Sequence, residues 1–398
     1  MPGPPHNPPA DFDLILVGGG LQNGLIALSA LHVAPACRIA LIEADDRLGG
    51  NHTWCVHARD VPARSRAWFE PLIVQRWPAY DVRFPGFERT LDSAYAVLDS
   101  ERFARVLSER FAQAPQCTLR LGCRAARIEA QSVELTNGER LHGRMVVDAR
   151  GPDQQAYLGQ CGYQKFVGLE LEFARPHGLV RPLLMDARCA QLDGFRFFYL
   201  LPFAADRLLI EETRFSGSST LDERAARAEI YRYAERYGAV QRCVREERGV
   251  LPMPWSTAAL PQRGSAETAL VAGYRGGFFH PATGYSLPAA LRVAQIVGEQ
   301  LAHEPLGPPW QRFLRHHRAQ AGYALQLNRL LFSAFAETDM WGVLARFYHL
   351  PEALIERFYA MESSLTDRAR IVLGRPPHGF SLLRAVSQRA GRTGKGAA

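Results

Sequence analysis

Three glycines near the start of the chain are spaced for holding a phosphate. Gly18 and Gly20 occupy the first two positions of a G-x-G-x-x-G motif, whereas Asn23 stands at the third position and Gly24 follows it. Such glycines let backbone amides approach a pyrophosphate, whose charge is attracted by the positive end of the following helix. Glu43 lies about 20 residues further on, where a carboxylate accepts hydrogen bonds from a ribose. These four residues predict binding of an ADP-containing cofactor; the alternative is an ordinary turn.

The elements that must position these residues follow in the required order. Residues 14–17 form an apolar run typical of a buried strand, and residues 21–32 carry apolar side chains at helical spacing. A second apolar run, residues 38–42, ends directly before Glu43. The order strand, glycine turn, helix, strand and acid predicts the first βαβ unit of a dinucleotide-binding domain.

Two later segments are predicted to complete the same site. An apolar strand ends at Asp148, and a glycine cluster extends from Gly273 to Gly284 directly before a helix. The backbone amides of that cluster are placed to face an anionic ring or a phosphate, although a flexible connection is the alternative. A cofactor domain assembled from both ends of a chain, with a sheet inserted between them, is typical of FAD enzymes.

Two adjacent acids, Glu211 and Glu212, end a hydrophobic strand that includes residues 208–210. Successive strand side chains point to opposite faces, so that one carboxyl group faces the interior and the other does not. A buried carboxyl group is a candidate for acid–base chemistry because burial raises its pKa. The alternative is a solvated strand end that caps a turn.

Composition excludes several classes of function. The net charge of +7 is modest for 398 residues and predicts no nucleic-acid partner. The seven cysteines form no C-x-x-C pair and have no metal-ligand spacing with histidine, so no metal site is predicted. No uncharged apolar run approaches the roughly 20 residues of a membrane span. We therefore expect a cytoplasmic protein whose contact with a membrane, if any, is peripheral.

The predicted fold is α/β, with a Rossmann-like FAD-binding domain built from separated segments, an inserted mixed-β substrate domain and a C-terminal helical region. In the inserted domain, residues 221–237 are predicted as a helix that is capped by Thr220. The expected boundaries are 11–67, 99–163 and 263–304 for the FAD-binding domain, 68–98 and 164–262 for the substrate domain, 305–385 for the helical region, and 1–10 and 386–398 for disordered tails.

Three separated motifs of this chain occur together in one known family. They are residues 49–54 (GGNHTW), 209–213 (LIEET) and 279–288 (FHPATGYSLP). In this order they resemble the bacterial lycopene β-cyclases of carotenoid synthesis, and the likeness extends from about residue 11 to residue 377. Shorter stretches support it: residues 77–80 (WPAY), 185–187 (MDA), 328–332 (NRLLF) and 357–360 (RFYA).

The resemblance implies a flavoprotein of the p-hydroxybenzoate-hydroxylase type that uses reduced FAD, with NAD(P)H or another reductant. The implied reaction is an isomerisation without net redox change, in which the acyclic ends of lycopene, or of a monocyclic carotenoid, become β-ionone rings. One departure from flavin hydroxylases is Tyr274, which stands where those enzymes usually carry an acid. The implied partners are the carotenoid, the inner surface of the membrane and other enzymes of carotenoid synthesis.

The resemblance also assigns roles to residues. Glu211, the first acid of the LIEET motif, becomes the general acid or the stabiliser of a cation, and Glu212 becomes a structural or supporting residue. Phe197 and Tyr199 line a substrate tunnel or, alternatively, pack in a core. The histidines in motif positions are His52, His57 and His280; His280 lies near the flavin or is a turn residue.

Two rival functions use the same domain. The first is a flavin monooxygenase or isoprenoid reductase, which would oxidise one NADPH for each product molecule. The second is a non-catalytic flavin- or isoprenoid-binding protein, which would not need the Glu211 carboxyl group.

Overall fold

The computed structural model of the chain describes residues 10–151, 161–257, 268–301, 306–374 and 379–381. In chain order its strands are β1 (Phe12–Val17), β2 (Ile39–Ile42), β3 (Thr53–His57), β4 (Gln75–Trp77), β5 (Tyr80–Phe84), β6 (Phe87–Leu91), β7 (Tyr95–Asp99), β8 (Thr118–Arg120), β9 (Ala125–Ile128), β10 (Ser132–Leu135), β11 (Arg140–Asp148), β12 (Cys161–Phe173), β13 (Leu183–Asp186), β14 (Phe195–Pro202), β15 (Arg207–Ser216), β16 (Val240–Pro254) and β17 (Leu270–Val271).

The α-helices of the described residues complete the inventory. They are α1 (Leu21–Val33), α2 (Arg66–Phe69), α3 (Ser100–Ala112), α4 (Glu223–Ala234), α5 (Leu287–Glu299), α6 (Pro308–Ala334), α7 (Met340–Tyr348), α8 (Glu352–Tyr359) and α9 (Leu365–Val372). The predicted tails lie outside the described residues except for Ala10.

The first sheet has the order β8-β2-β1-β11-β10-β9, and β17 also pairs with β11. Its central pairs β2–β1 and β1–β11 are parallel, as are β8–β2 and β11–β17. Helices cover one face of this sheet, and side chains of the β9–β10 hairpin pack on the other face. Leu14 to Leu16 of β1 are therefore completely buried. α1 and α5 approach so closely that a Cβ atom at Gly298 would lie 2.5 Å from Ser29 Oγ.

The second sheet has the order β16-β12-β15-β14-β13-β5-β6 and is antiparallel apart from the β13–β5 pair. One face packs on α4 through Ala226, Ile230 and Tyr233. The other face carries Phe197 and Leu209 and packs against the C-terminal helices α6 to α8. Side chains therefore alternate between a closed core and a face that turns toward the rest of the molecule.

A third, small sheet of order β3-β7-β4 lies between the two large ones. Its strand β3 follows the GGNHTW loop directly, and His57 at its end pairs with Tyr95 of β7. The α/β architecture with an inserted sheet and a C-terminal helical region is confirmed, and β5 and β6 bring the 68–98 excursion into the second sheet.

Two details of the inserted domain differ from the sequence-based expectation. Helix α4 begins at Glu223 and is capped by Asp222, whose carboxylate accepts a hydrogen bond from the Ala225 amide, so the predicted Thr220 cap is wrong. β16 was not predicted at all. It is an edge strand whose side chains from Gln241 to Val244 are exposed, so apolar alternation is missing from that part of it.

Candidate active site

A single cavity of about 1100 Å³ connects the glycine turn after β1 with the C-terminal helices. Gly18, Gly20 and Glu43 line one end of it, and Gly273 and Gly284 lie along its wall. Glu211 lines the same cavity further along. The structure therefore brings together three chain segments, the outermost of which, Gly18 and Gly284, are 266 residues apart in the sequence.

The glycine-turn end of the cavity fits the pyrophosphate of a dinucleotide. Gly18 has φ +99°, and Gly20 precedes α1 without any side-chain cap, so the first amides of the helix keep their donors for an anion. A Cβ atom at Gly20 would meet nothing within 4 Å. The Glu43 carboxylate accepts hydrogen bonds from the Gly19 amide at 2.5 Å and the Asp45 amide at 2.9 Å, and these bonds hold it beside the turn.

Two residues predicted to contact the cofactor lie away from the cavity lining. Gly24 faces α3, where a Cβ atom would lie 2.1 Å from Phe103 Cζ, so glycine is needed there for helix packing. The buried Asp148 carboxylate pairs with Arg150 at 2.9 Å and Arg275 at 3.2 Å, and so ties two loops together. Arg150 itself lines the cavity.

The loop before α5 is held by its own backbone. Gly273 (φ +62°) and Gly284 (φ +68°) adopt the left-handed conformation that favours glycine. Tyr274, the departure from the hydroxylase pattern, donates a hydrogen bond to the Gly284 carbonyl oxygen and lines the cavity. His280 is buried behind the lining, where its Nδ1 accepts from the Ala282 amide at 3.1 Å and its ring packs on Phe358. Its contacts are those of a turn residue.

Glu211 and Glu212 point in opposite directions, as the strand alternation requires. Glu211 faces the cavity and accepts a hydrogen bond from Thr213 Oγ1 at 2.5 Å. Glu212 is 0% exposed on the α4 side, where it pairs with Arg196 at 2.6 Å and Arg214 at 2.7 Å. Glu212 is thus a buried structural ion pair, and Glu211 is the carboxyl group available to a bound molecule.

The Glu211 carboxyl group is neutral at physiological pH. Burial and, to a smaller extent, the neighbouring carboxylate of Glu247 raise its pKa to about 8, against the Thr213 hydrogen bond, which lowers it. Glu211 and Glu247 lie on either side of Gly168, which is the register partner of both, and the missing side chain of Gly168 leaves the two acids on one face without a separator. Glu247 itself is buried and pairs with Arg245 at 3.0 Å.

This pair of acids predicts a specific pH dependence. A general acid is active while protonated, so with Glu211 in that role the rate of the catalysed reaction should be flat below the Glu211 pKa of about 8 and fall about tenfold per pH unit above it. Glu247→Gln removes the neighbouring negative charge, lowers the Glu211 pKa and moves this alkaline limb to lower pH. Initial rates of product formation from pH 6 to 10 measure the shift. An unmoved limb in Glu247→Gln would contradict the coupling.

Aromatic side chains form most of the cavity wall around Glu211. Tyr199, the cross-strand partner of Glu211, lines the cavity with Phe197, whereas Phe198 lies on the other face and stacks on Tyr233 at 4.0 Å. The Tyr199 hydroxyl group bonds to Cys55 Sγ at 2.9 Å and to the Tyr95 hydroxyl group at 3.2 Å. The wall is therefore rigid and mostly apolar, and burial keeps the Tyr95 and Tyr199 pKa values well above their usual range.

The sequence of the whole chain matches one characterised family. The sequence profile described as "Lycopene cyclase protein" matches residues 13–385. The chain belongs to the lycopene cyclase family. It is 41% identical over 368 residues to the lycopene beta-cyclase of Pseudescherichia vulneris, covering 92% of this chain and 94% of that one. It is 42% identical over 372 residues to that of Pantoea ananas, covering 92% and 95%.

Solved structures share the fold of this lycopene cyclase family member at low identity. A geranylgeranyl bacteriochlorophyll reductase-like protein from Thermoplasma acidophilum has a TM-score of 0.56 at 12% identity and covers 96% of this chain and 98% of its own. A probable FAD-dependent monooxygenase from Pseudomonas aeruginosa has a TM-score of 0.55 at 14% identity, with coverage of 88% and 99%. The predicted resemblance to bacterial lycopene β-cyclases is confirmed.

Several residues of this lycopene cyclase family member that line the cavity or lie beside Glu211 had no predicted role. His57 ends β3 inside a group of tyrosines, and Glu247 lies on β16, the strand that was not predicted. Tyr95 and Cys55 reach the cavity from the small third sheet. For His57 the signal was its place three residues after the GGNHTW motif; for Glu247 no local pattern exists, because its approach to Glu211 depends on strand pairing. No group of three or more metal-ligating side chains occurs among the residues that the structure describes.

Proposed function

We propose that this protein is a lycopene β-cyclase that converts acyclic ends of lycopene into β-ionone rings. The observation that carries the proposal is the Glu211 carboxyl group, which is neutral and faces the same largely apolar cavity as the cofactor glycines. Protonation of an alkene requires a neutral acid in surroundings that exclude water. The matches to the two lycopene beta-cyclases named above cover almost the whole length of both chains, which supports the same substrate here.

The chain's own residues account for the acid step. Glu211 donates its proton to the terminal double bond, and Thr213 orients the carboxyl group through its hydrogen bond and stabilises the carboxylate that remains. The second double bond attacks the resulting cation, so a carbon–carbon bond closes the ring and the charge moves to a ring carbon. Phe197 and Tyr199 present aromatic faces to this part of the cavity, and each such contact with a cation contributes about 0.5–2 kcal/mol.

We propose FAD as the resident cofactor, held at the glycine-turn end. Gly20 leaves room for the pyrophosphate, the N-terminus of α1 faces it, and Glu43 is placed beside the turn for the ribose. When bound in its reduced form, FAD would supply an electron-rich ring system that favours positive charge on the substrate. NAD(P)H is then needed to bring the flavin to that form, and it is not consumed in proportion to the rings that are made.

The deciding experiment is anaerobic incubation with lycopene and chemically reduced FAD, followed by chromatography of the carotenoids. We expect γ-carotene and β-carotene to form without net oxidation of the reductant. Formation of oxygenated or reduced carotenoids, with one NADPH consumed per product, would instead support a monooxygenase or an isoprenoid reductase. If lycopene is bound but never altered, the protein is a binding protein and the proposal fails.

We further propose that the cavity opens toward a membrane surface. Its lining includes Arg370, Val372 and Phe380 of the C-terminal region, and the neighbouring side chains of Leu365 and Leu373 are 82% and 68% exposed. Exposed apolar groups around the mouth of a cavity, together with a positive net charge, favour binding of the protein to an anionic bilayer. The same bilayer dissolves the polyene substrate. The helices described by the structure include none that is long and apolar enough to cross a bilayer.

Charge introduced at this mouth should impair substrate delivery. In Leu365→Asp/Leu373→Asp, which changes two exposed side chains outside the cavity lining, we expect weaker binding to phosphatidylglycerol vesicles and slower cyclisation of lycopene dissolved in those vesicles. Cyclisation of lycopene in detergent micelles should stay unchanged because the active site is intact. The matched control is Val180→Asp, which alters a side chain that is 75% exposed and does not line the cavity. Equal vesicle binding by all three proteins, measured by sedimentation, would contradict the proposal.

A further inference from the structure

The ring-forming reaction leaves one step without an assigned residue. After closure, the ring cation loses a proton from a neighbouring carbon, and the choice of carbon decides where the ring double bond lies. Glu211 gives a proton at one position of the substrate, whereas this second proton leaves from another. A separate base that lies in the cavity wall would determine the product.

His57 is buried in the wall of the same cavity and has an unused ring nitrogen. Its side chain is 3% exposed and lines the cavity; its Nδ1 is enclosed by protein and has no hydrogen-bond partner, so Nε2 is the ring nitrogen that reaches the cavity. A buried polar atom without a partner is costly, so it needs a reason to persist. A neutral imidazole carries one nitrogen with a free lone pair in either tautomer, and this lone pair is what a base requires.

The surroundings of His57 suit a transient positive charge. Its ring lies 4.9 Å from the ring of Tyr95, 5.4 Å from Tyr80, 5.6 Å from Tyr359 and 6.2 Å from Tyr285, measured between ring centroids. Burial keeps the pKa values of these four phenols above their usual range, so all of them are neutral at physiological pH. Their ring electrons stabilise a carbocation at this end of the cavity.

The acid and this imidazole are held apart by two residues. Tyr199 is the cross-strand partner of Glu211, the Tyr199 and Tyr95 hydroxyl groups lie 3.2 Å apart, and Tyr95 packs against His57. The carboxylate of Asp60, which is also buried nearby, accepts a hydrogen bond from Tyr285 at 2.8 Å and does not line the cavity. His57 is thus a basic group in the cavity wall beyond the tyrosine pair, whereas His52, which also lines the cavity, lies in the GGNHTW segment beside Trp54.

Resting on the proposed cyclase function, we infer that His57 is the catalytic base that removes the proton from the ring cation. The carbon–hydrogen bond next to the cationic centre breaks, its electron pair becomes the ring double bond, and the proton passes to the free ring nitrogen of His57. One proton enters from Glu211 and one leaves to His57, so the substrate undergoes no net change in protons or electrons. Exchange with solvent then restores both side chains.

The low basicity of His57 fits this task. Burial lowers its pKa to about 4, so the imidazole stays unprotonated beside an acid whose pKa is about 8 and does not consume the catalytic proton. A carbocation is an extremely strong acid, and a weak base is sufficient to deprotonate it. A more basic histidine would be protonated before the cation forms.

The test compares His57→Gln and His57→Phe with the wild-type protein, using lycopene and reduced FAD, and identifies the ring isomers that are formed. We expect formation of β rings to fall about 100-fold, and rings with the double bond at another position to appear in their place. In D₂O every ring should still acquire one deuterium at the carbon protonated by Glu211, because the acid step is intact. A purely structural role of His57 would slow the reaction without changing the ring isomer.

The control is His349→Phe, which replaces an exposed histidine that packs on Phe87 outside the cavity lining. It should give wild-type rates and only β rings. If both His57 variants retain flavin and make only β rings, whatever their rate, the base is another group and the inference is overturned. Absence of any cyclic product from the wild-type protein would instead refute the cyclase function itself, so the two failures are distinguishable.

Discussion

Glu211→Gln is expected to reduce ring formation by about 10³-fold without loss of flavin, the largest single effect on catalysis that the structure predicts. Glutamine has nearly the same size and can still accept the hydrogen bond from Thr213, so the strand and the cavity should keep their form. It cannot donate a proton strong enough to attack an alkene. Product formation by purified protein under anaerobic conditions, normalised to bound flavin, measures the loss.

The matched control for this change is Glu246→Gln. Glu246 lies on neighbouring strand β16, and its carboxylate pairs with Arg227 outside the cavity lining. The same chemical change there should leave cyclisation within a factor of about two of the wild type, because surface ion pairs contribute about 0–1 kcal/mol. A Glu211→Gln protein that cyclises lycopene normally would show that the proton comes from elsewhere, and the proposed mechanism would have to be abandoned.

Gly20→Asp is expected to abolish retention of FAD while the protein remains folded. The backbone of Gly20 has φ −79°, and an added Cβ atom meets nothing within 4 Å, so the residue itself is tolerated by the fold. The new carboxylate would stand at the N-terminus of α1, in the space that we assign to the pyrophosphate. Repulsion between these negative charges should weaken FAD binding by at least about 100-fold, or roughly 2.7 kcal/mol.

The flavin absorbance of the purified protein and titration of the apoprotein with FAD measure this effect. Gly217→Asp is the control, because it makes the same change at an exposed glycine that also has open space around it and lies outside the cavity lining. It should retain wild-type FAD content. Unaltered FAD binding by Gly20→Asp would place the cofactor in another part of the cavity, and the assignment of the glycine turn would be wrong.

Short-range sequence patterns were sufficient to predict the end of the cavity that we assign to the cofactor. The strand, the turn and helix α1 follow one another along the chain, and their apolar periods and glycines reflect local backbone geometry. The same applies to the opposite orientation of Glu211 and Glu212, which follows from the alternation of side chains along any strand. Gly24 shows the limit of such reasoning, because its motif position suggested a cofactor contact whereas its partner is Phe103 of α3.

The tertiary structure alone decided which residues surround Glu211 and its cavity. Glu247 raises the Glu211 pKa because β12 sets Gly168 between the two acids, and His57 faces the cavity because the third sheet ends there. Both arrangements join residues that are far apart in sequence, and no local periodicity encodes such pairings. The amino-acid sequence by itself determined the family, the α/β class and Glu211 as the candidate acid. The pKa of Glu211 and the identity of its neighbours depend on burial and on distances that exist only once the sheets have packed.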